Sequence, residues 1–199
     1  MDIEPEFSKL LIMKINIRYI FIFAVLIFSK SSFAISYTLD EYAKNPFGNI
    51  LFVRHALAPG FGDPQNFDLN ECSSQRNLNG KGRKQAFIIG EKIKEAGIKF
   101  KKIYSSQWCR CIETAEYMNL GKINVEPGLN SFFQGIVPKE KTLSILGERL
   151  KSIEANQQLV LMVTHQVTIT AVTGITVTSG GVVAFSSKSG KSREVKILY

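Results

Sequence analysis

The stretch that decides the fold is "LFVRHALAPG", residues 51–60, where an apolar run goes straight into an arginine and a histidine. From Ile50 to Val53 no polar residue marks a wet face. That is the pattern of a strand in a sheet covered on both sides. The chain has only two histidines, and the second repeats the arrangement: "QLVLMVTH", residues 158–165, ends another apolar run on His165.

Working outward, the remaining segments alternate between helix and strand. "TLDEYAKN" places Thr38 three residues before Glu41, a capping-box pattern for a short opening helix. Pro59, Gly60, Gly62 and Pro64 mark a long loop after His55. "NGKGRKQAFIIGEKIKEAGI" spaces Ala86, Ile89, Ile93 and Ala96 as a helix does, with Gly97 to close it. "KKIYSS" reads as a strand, "QWCRCIETAEYM" as a helix, and "INVEPGL" as a short strand and turn. "KTLSILGERLKSIEAN" is an amphipathic helix; "QVTITAVTG" starts a helix that Gly174 caps. "GVVAF" and "EVKILY" are two late strands around a polar turn. The alternation predicts an α/β protein, a three-layer α/β/α arrangement with a mainly parallel central sheet.

Composition narrows the function. The chain of 199 residues carries a formal charge of +8, but its lysines are scattered. No basic stripe with interleaved aromatics appears, which argues against a nucleic-acid partner. The charge reads as a solvated basic surface that draws in acidic substrates. The three cysteines, Cys72, Cys109 and Cys111, form no CxxC, and there is no HxxxH, so neither a metal site nor a cofactor is expected. "CSSQR" sets Arg76 too close to Cys72 for a cysteine-phosphatase loop.

The N-terminus reads as an address. From Met13, "MKINIRYIFIFAVLIFSKSSFA" has a positive start in Lys14 and Arg18, an apolar core from Tyr19 to Phe28, and small residues at Ser32 and Ala34. This predicts a signal peptide over residues 1–34, with Met13 as the true start and the functional domain over 35–199. The run is short for a membrane span, so membrane contact is expected only through this segment, and the protein in the periplasm or secreted. Export makes one disulfide and one leftover thiol reasonable. Cys109 and Cys111 point to different sides of a helix, so Cys72 bridges to one of them, against the alternative of three buried, reduced thiols.

In parallel sheets, ligands bind beyond the carboxyl ends of the strands. Arg54-His55 ends one strand, Thr164-His165 another, and Arg110 follows a third by a few residues. Two imidazoles and two guanidiniums thus meet at one rim. Arginine forks match phosphate oxygens, and a neutral imidazole can attack phosphorus. The pattern asks for a phosphate.

"VRHALAP", "LNGKGRKQA", "YSSQWCRCIETA" and "VTHQ", in that order, resemble the histidine phosphatase (phosphoglycerate mutase-like) superfamily from about Asn49 to Gly174. "QRNLNGKGR", "SQWCRC", "LNSFF" and "THQVTIT" look most like its small exported bacterial branch, which includes lipopolysaccharide core heptose phosphatases. Ala56 stands where the family has glycine after its histidine. Gln166 also replaces a usual glycine, and is placed with Arg54 and Arg110 among the substrate-binding residues. The resemblance implies a phosphoglycerate mutase-like fold and a phosphatase acting on a phosphorylated small molecule or sugar. It implies that His55 becomes phosphohistidine while Arg54, Arg110 and His165 hold the phosphoryl oxygens. The family's acid position is occupied by Ser131 in "LNSFFQG", a poor proton donor. Asp63 is the first substitute expected, Glu126 the second. Two other readings stay in view: a catalytically weak or inactive binder of phosphate ligands, and a mutase.

Overall fold

The computed structural model describes residues 37–156 and 159–198; the signal-peptide reading over 1–34 lies outside them. The described elements are β1 (Tyr37–Thr38), α1 (Leu39–Lys44), β2 (Ile50–Arg54), α2 (Gly80–Glu95), β3 (Lys102–Ser105), α3 (Cys109–Met118), β4 (Ile123–Val125), α4 (Lys139–Asn156), β5 (Val160–Thr164), α5 (Gln166–Thr173), β6 (Val182–Phe185) and β7 (Ser192–Lys196). Short 3-10 turns sit at Cys72–Ser74, Pro127–Leu129 and Phe133–Gly135. The expected capping box forms at Thr38 and Glu41. Gly97 and Gly174 both take a positive φ of 71° where α2 and α5 end.

The strands form one sheet in the order β1-β7-β6-β2-β5-β3-β4. β2, β5, β3 and β4 run parallel to one another, whereas β6 is antiparallel to both β2 and β7. The sheet is therefore mainly parallel with an antiparallel hairpin at one side.

Alternation along each strand builds two cores. Leu51 and Val53 face one side with Leu161 and Val163, packed on Tyr42 of α1, Ile89 and Ile93 of α2, and Ala115 and Met118 of α3. Ile50 and Phe52 face the other side with Met162, packed on Leu146 and Ile153 of α4 and Ile169 of α5. Helices thus cover both faces, which is why β2 and β5 carry no polar alternation.

Register brings the strand ends level. Arg54 lies opposite Thr164, and Ser105 opposite Val163. His55 donates its backbone N–H to Thr164 O (2.9 Å), and Ser106 donates to Val163 O (3.0 Å). His55, His165 and Ser106 therefore leave three neighbouring strands at one height.

Candidate active site

That rim is the floor of an open cleft of about 450 Å³ lined by Arg54, His55, Arg76, Arg110, Ser131, His165 and Gln166, with an apolar lip beyond them. The His55 and His165 rings meet edge to face, 5.4 Å between centroids. His55 Nδ1 lies 2.8 Å from the carbonyl oxygen of its neighbour Ala56. A carbonyl only accepts, so Nδ1 carries the proton and Nε2 keeps its lone pair. Burial, helped by the Arg110, Arg76 and Arg54 charges, lowers the His55 pKa to about 3. The imidazole is therefore neutral and nucleophilic at physiological pH.

His165 is held through its other side. Nε2 lies 2.9 Å from Ser106 Oγ, and Nδ1 lies 3.5 Å from Arg110 Nη2. The guanidinium only donates, so Nε2 carries the proton and gives it to Ser106 Oγ. Ser106 in turn donates to Asn130 Oδ1 (3.1 Å), which also accepts from Gln107 N (3.0 Å). Burial, then the Arg110 charge, the neighbouring imidazole and the other two guanidiniums keep His165 well below the ordinary imidazole range. A phosphate dianion in the cleft works against these effects on both rings.

Three guanidiniums face the cleft. Arg54 donates to Val177 O (2.9 Å), and Arg76 donates from Nε to Gly62 O (2.8 Å) and from Nη1 to Ala58 O. Arg54 Nε and Arg110 Nε are buried without a hydrogen-bond partner among the described residues. Buried donors of this kind beside a cleft are what an oxyanion satisfies.

Asp63 is placed differently from what the sequence suggested. Its carboxylate takes Arg110 Nη1 at 2.8 Å and Nη2 at 3.1 Å, Trp108 Nε1 at 3.0 Å and the Arg76 backbone N–H at 3.1 Å. Its side chain is 4% exposed and is not among the groups lining the cleft. Burial alone would raise its pKa, but the Arg110 hydrogen bonds and charge, with Trp108 and Arg76, hold it below the ordinary carboxylate range. Asp63 is thus a counter-ion that orients Arg110, with no proton to donate. Glu126 is also withdrawn: it pairs with Arg149 at 2.5 Å and caps a 3-10 turn through Gly128 N. Ser131 does line the cleft, and no carboxyl group does among the described residues.

Local sequence explains how the rim is held. The Leu57 backbone N–H donates to Gln85 Oε1 (2.9 Å), and Gln85 Nε2 donates to Ser179 O (2.9 Å). A Cβ on Gly82 would sit 2.1 Å from Leu57 O, so only glycine lets α2 start against the His55 loop. Thr114 Oγ1 accepts from Ala56 N (3.0 Å) while donating to Arg110 O (2.6 Å), tying that loop to α3. Gln166 begins α5, whose N-cap His165 supplies no side-chain cap, so the helix start adds backbone donors to the anion's side. Cys72 bridges to Cys109, Cα–Cα 5.7 Å, and Cys111 is a buried free thiol. The bridge joins the segment after the His55 loop to the first residue of α3, next to Arg110.

Sequence reasoning missed Arg76, Ser106 and Asn130. Arg76 comes from a loop rather than a strand end. Ser106 was visible as the residue after "KKIYS", in the same relation to its strand as His55 and His165 to theirs.

Fold and cleft together define an α/β protein whose open cleft gathers two histidines and three arginines. The chain belongs to the histidine phosphatase superfamily (branch 1), whose pattern matches residues 50–149. Among solved structures, the protein histidine phosphatase SixA complexed with tungstate aligns with a TM-score of 0.52 and 16% identity, over 73% of this chain and 92% of its own. A putative phosphohistidine phosphatase SixA from Agrobacterium tumefaciens gives 0.51 and 19%, over 75% and 96%. At these identities the likeness establishes the fold. Over 62 residues the chain is 40% identical to the ecdysteroid-phosphate phosphatase of Bombyx mori; the match covers 28% of this chain and spans 9% of that protein's length.

Proposed function

We propose that this protein is an exported phosphomonoesterase that hydrolyses a phosphorylated small molecule or sugar through a phosphohistidine on His55. The observation that carries the reading is the His55 tautomer: Nδ1 is spent on Ala56 O, and Nε2 is left with its lone pair beside Arg54, Arg76 and Arg110. Nε2 attacks phosphorus, the three guanidiniums hold the phosphoryl oxygens, His165 Nδ1 steadies Arg110 from the side, and water then releases phosphate. Family membership supports this chemistry, as does the binding of tungstate by SixA, the fold relative at 16% identity. The Cys72–Cys109 bridge supports an oxidising compartment, hence export, with cleavage after Ala34.

One observation favours a second reading. No carboxyl group lines the cleft among the described residues, which suits a weak or inactive relative that binds phosphorylated ligands. Phosphate release separates the two. The phosphatase reading expects steady release from 4-nitrophenyl phosphate that is lost in His55→Ala. Binding of inorganic phosphate without any release would establish the binder. N-terminal sequencing of the mature protein tests export: a start at Ile35 is expected, and an intact Met13 start retained in membranes would contradict it.

A further inference from the structure

The lip of the cleft says which alcohol the phosphate is attached to. Beyond the phosphate-holding groups it is mainly apolar, with Leu57, Pro59, Phe61, Phe133 and Val167 beside Ser131 and Ser179, and no lysine or carboxylate among the described residues. Phe61 is 86% exposed and Phe133 37%. Their rings stand edge to face, centroids 5.1 Å apart at 88°. Burying a large aromatic is favourable, so two left in water at the mouth of a cleft point to a ligand that covers them.

The pair is also held in place. Gln134, next to Phe133, takes a left-handed φ of 62°, uncommon for a residue with a side chain. Its Oε1 accepts from the Asp63 backbone N–H at 2.8 Å, two residues from Phe61. Gly62 between them has φ +68°, and a Cβ there would come within 2.6 Å of the Gln134 amide. Asp63 therefore grips Arg110 with its carboxylate and the Phe133 turn with its N–H. The aromatic lip and the phosphate pocket are fixed to one residue.

Resting on the phosphatase reading above, we infer that the substrate is an aryl phosphate monoester, with Phe61 and Phe133 as specificity-determining residues that grip its uncharged aromatic ring. The missing carboxylic acid points the same way. The Nε2 lone pair forms the N–P bond while the P–O bond breaks and its electron pair leaves on the alcohol oxygen. With no carboxylic acid in the cleft among the described residues, that oxygen departs as an anion and takes its proton from water. A phenolate carries that charge into its ring; an alkoxide cannot. Water then adds to phosphorus, the N–P pair returns to Nε2, the water gives up a proton, and phosphate leaves.

The test compares phenyl phosphate, cyclohexyl phosphate and acetyl phosphate on the same preparation. Cyclohexyl phosphate keeps a ring of similar size but leaves as an alkoxide; acetyl phosphate leaves easily but has no ring. Phenyl phosphate should exceed cyclohexyl phosphate in kcat by about 10²-fold or more, the usual reach of a missing acid. In Phe61→Ala and in Phe133→Ala, kcat/KM for phenyl phosphate should fall about 3- to 10-fold relative to that for acetyl phosphate, the worth of one aromatic contact. Phe61→Trp should restore the ratio. If acetyl phosphate is hydrolysed but phenyl phosphate is no better than cyclohexyl phosphate, or the ratio is unmoved in both alanine variants, the inference is overturned while the phosphatase reading stands. If none of the three releases phosphate and His55 carries none, the phosphatase reading fails and takes the inference with it.

Discussion

Asp63→Asn separates a counter-ion from a proton donor. The carboxylate accepts four hydrogen bonds, two of them from Arg110, in a position that is 4% exposed. Asparagine keeps the shape but offers one oxygen. Its amide nitrogen then faces a donor, either Arg110 Nη1 and Arg76 N, or Arg110 Nη2 and Trp108 Nε1. Breaking a buried pair and leaving the guanidinium without its counter-charge costs about 3–5 kcal/mol. For a domain of this size that is a fall in Tm of about 6–20 °C. A displaced Arg110 should lower kcat/KM by about 10²-fold, and by the same factor for acetyl and phenyl phosphate. Thermal melts and steady-state phosphate release read both effects. The pH dependence adds a sign. The folded carboxyl has a lowered pKa, so its stabilisation is present above the unfolded value near 4 and is lost as pH falls through the folded one. Asp63→Asn should lack that acid-range loss. A variant of normal Tm, slowed only on poor leaving groups and with a shifted alkaline limb, would make Asp63 the proton donor and refute the reasoning.

Cys72→Ser removes a cross-link spanning 37 residues; on the chain-entropy model stability should drop by about 3–4 kcal/mol. Wild-type Tm and activity should then fall with reductant to the level of the variant, and unfolded, unreduced protein should show one reactive thiol, Cys111; three would refute the bridge. Both imidazoles are buried neutral with lowered pKa values, His55 to about 3. Below about pH 6.5 the unfolded chain takes up protons that the folded one refuses. Stability in melts should therefore decline from pH 7 toward pH 4, and less steeply in His55→Ala or with inorganic phosphate bound. Gly82→Ala should cost activity and stability together, because its Cβ would sit 2.1 Å from Leu57 O; a variant with wild-type melting and turnover would show that the His55 loop is not braced by α2.

What the sequence made legible was whatever local pattern controls. The apolar runs before His55 and His165 reveal buried strands, and the α/β alternation then puts both histidines at one rim. Thr38-Glu41, Gly97 and Gly174 mark helix ends because caps are local. What stayed hidden depends on contacts far apart in the chain. Asp63 sits in a glycine-proline loop and reads as an available acid; only the fold brings Arg110, 47 positions on, against it. Arg76 follows a 3-10 turn, where no periodicity says which way a side chain points. Gly82 and Gln85 lie within the family-like stretch "LNGKGRKQA", but their purpose, bracing Leu57, is a matter of tertiary packing. Phe61 and Phe133 lie 72 residues apart and meet only in space.

The central claim is that His55 Nε2 carries the phosphoryl group. Rapid quenching of the enzyme with 32P-labelled phenyl phosphate, followed by peptide mapping under alkaline conditions, tests it most directly. Label should appear on the peptide containing His55, survive base and be lost in acid, and be absent from His55→Ala. Label on another residue, or steady phosphate release from His55→Ala at the wild-type rate, would contradict the account.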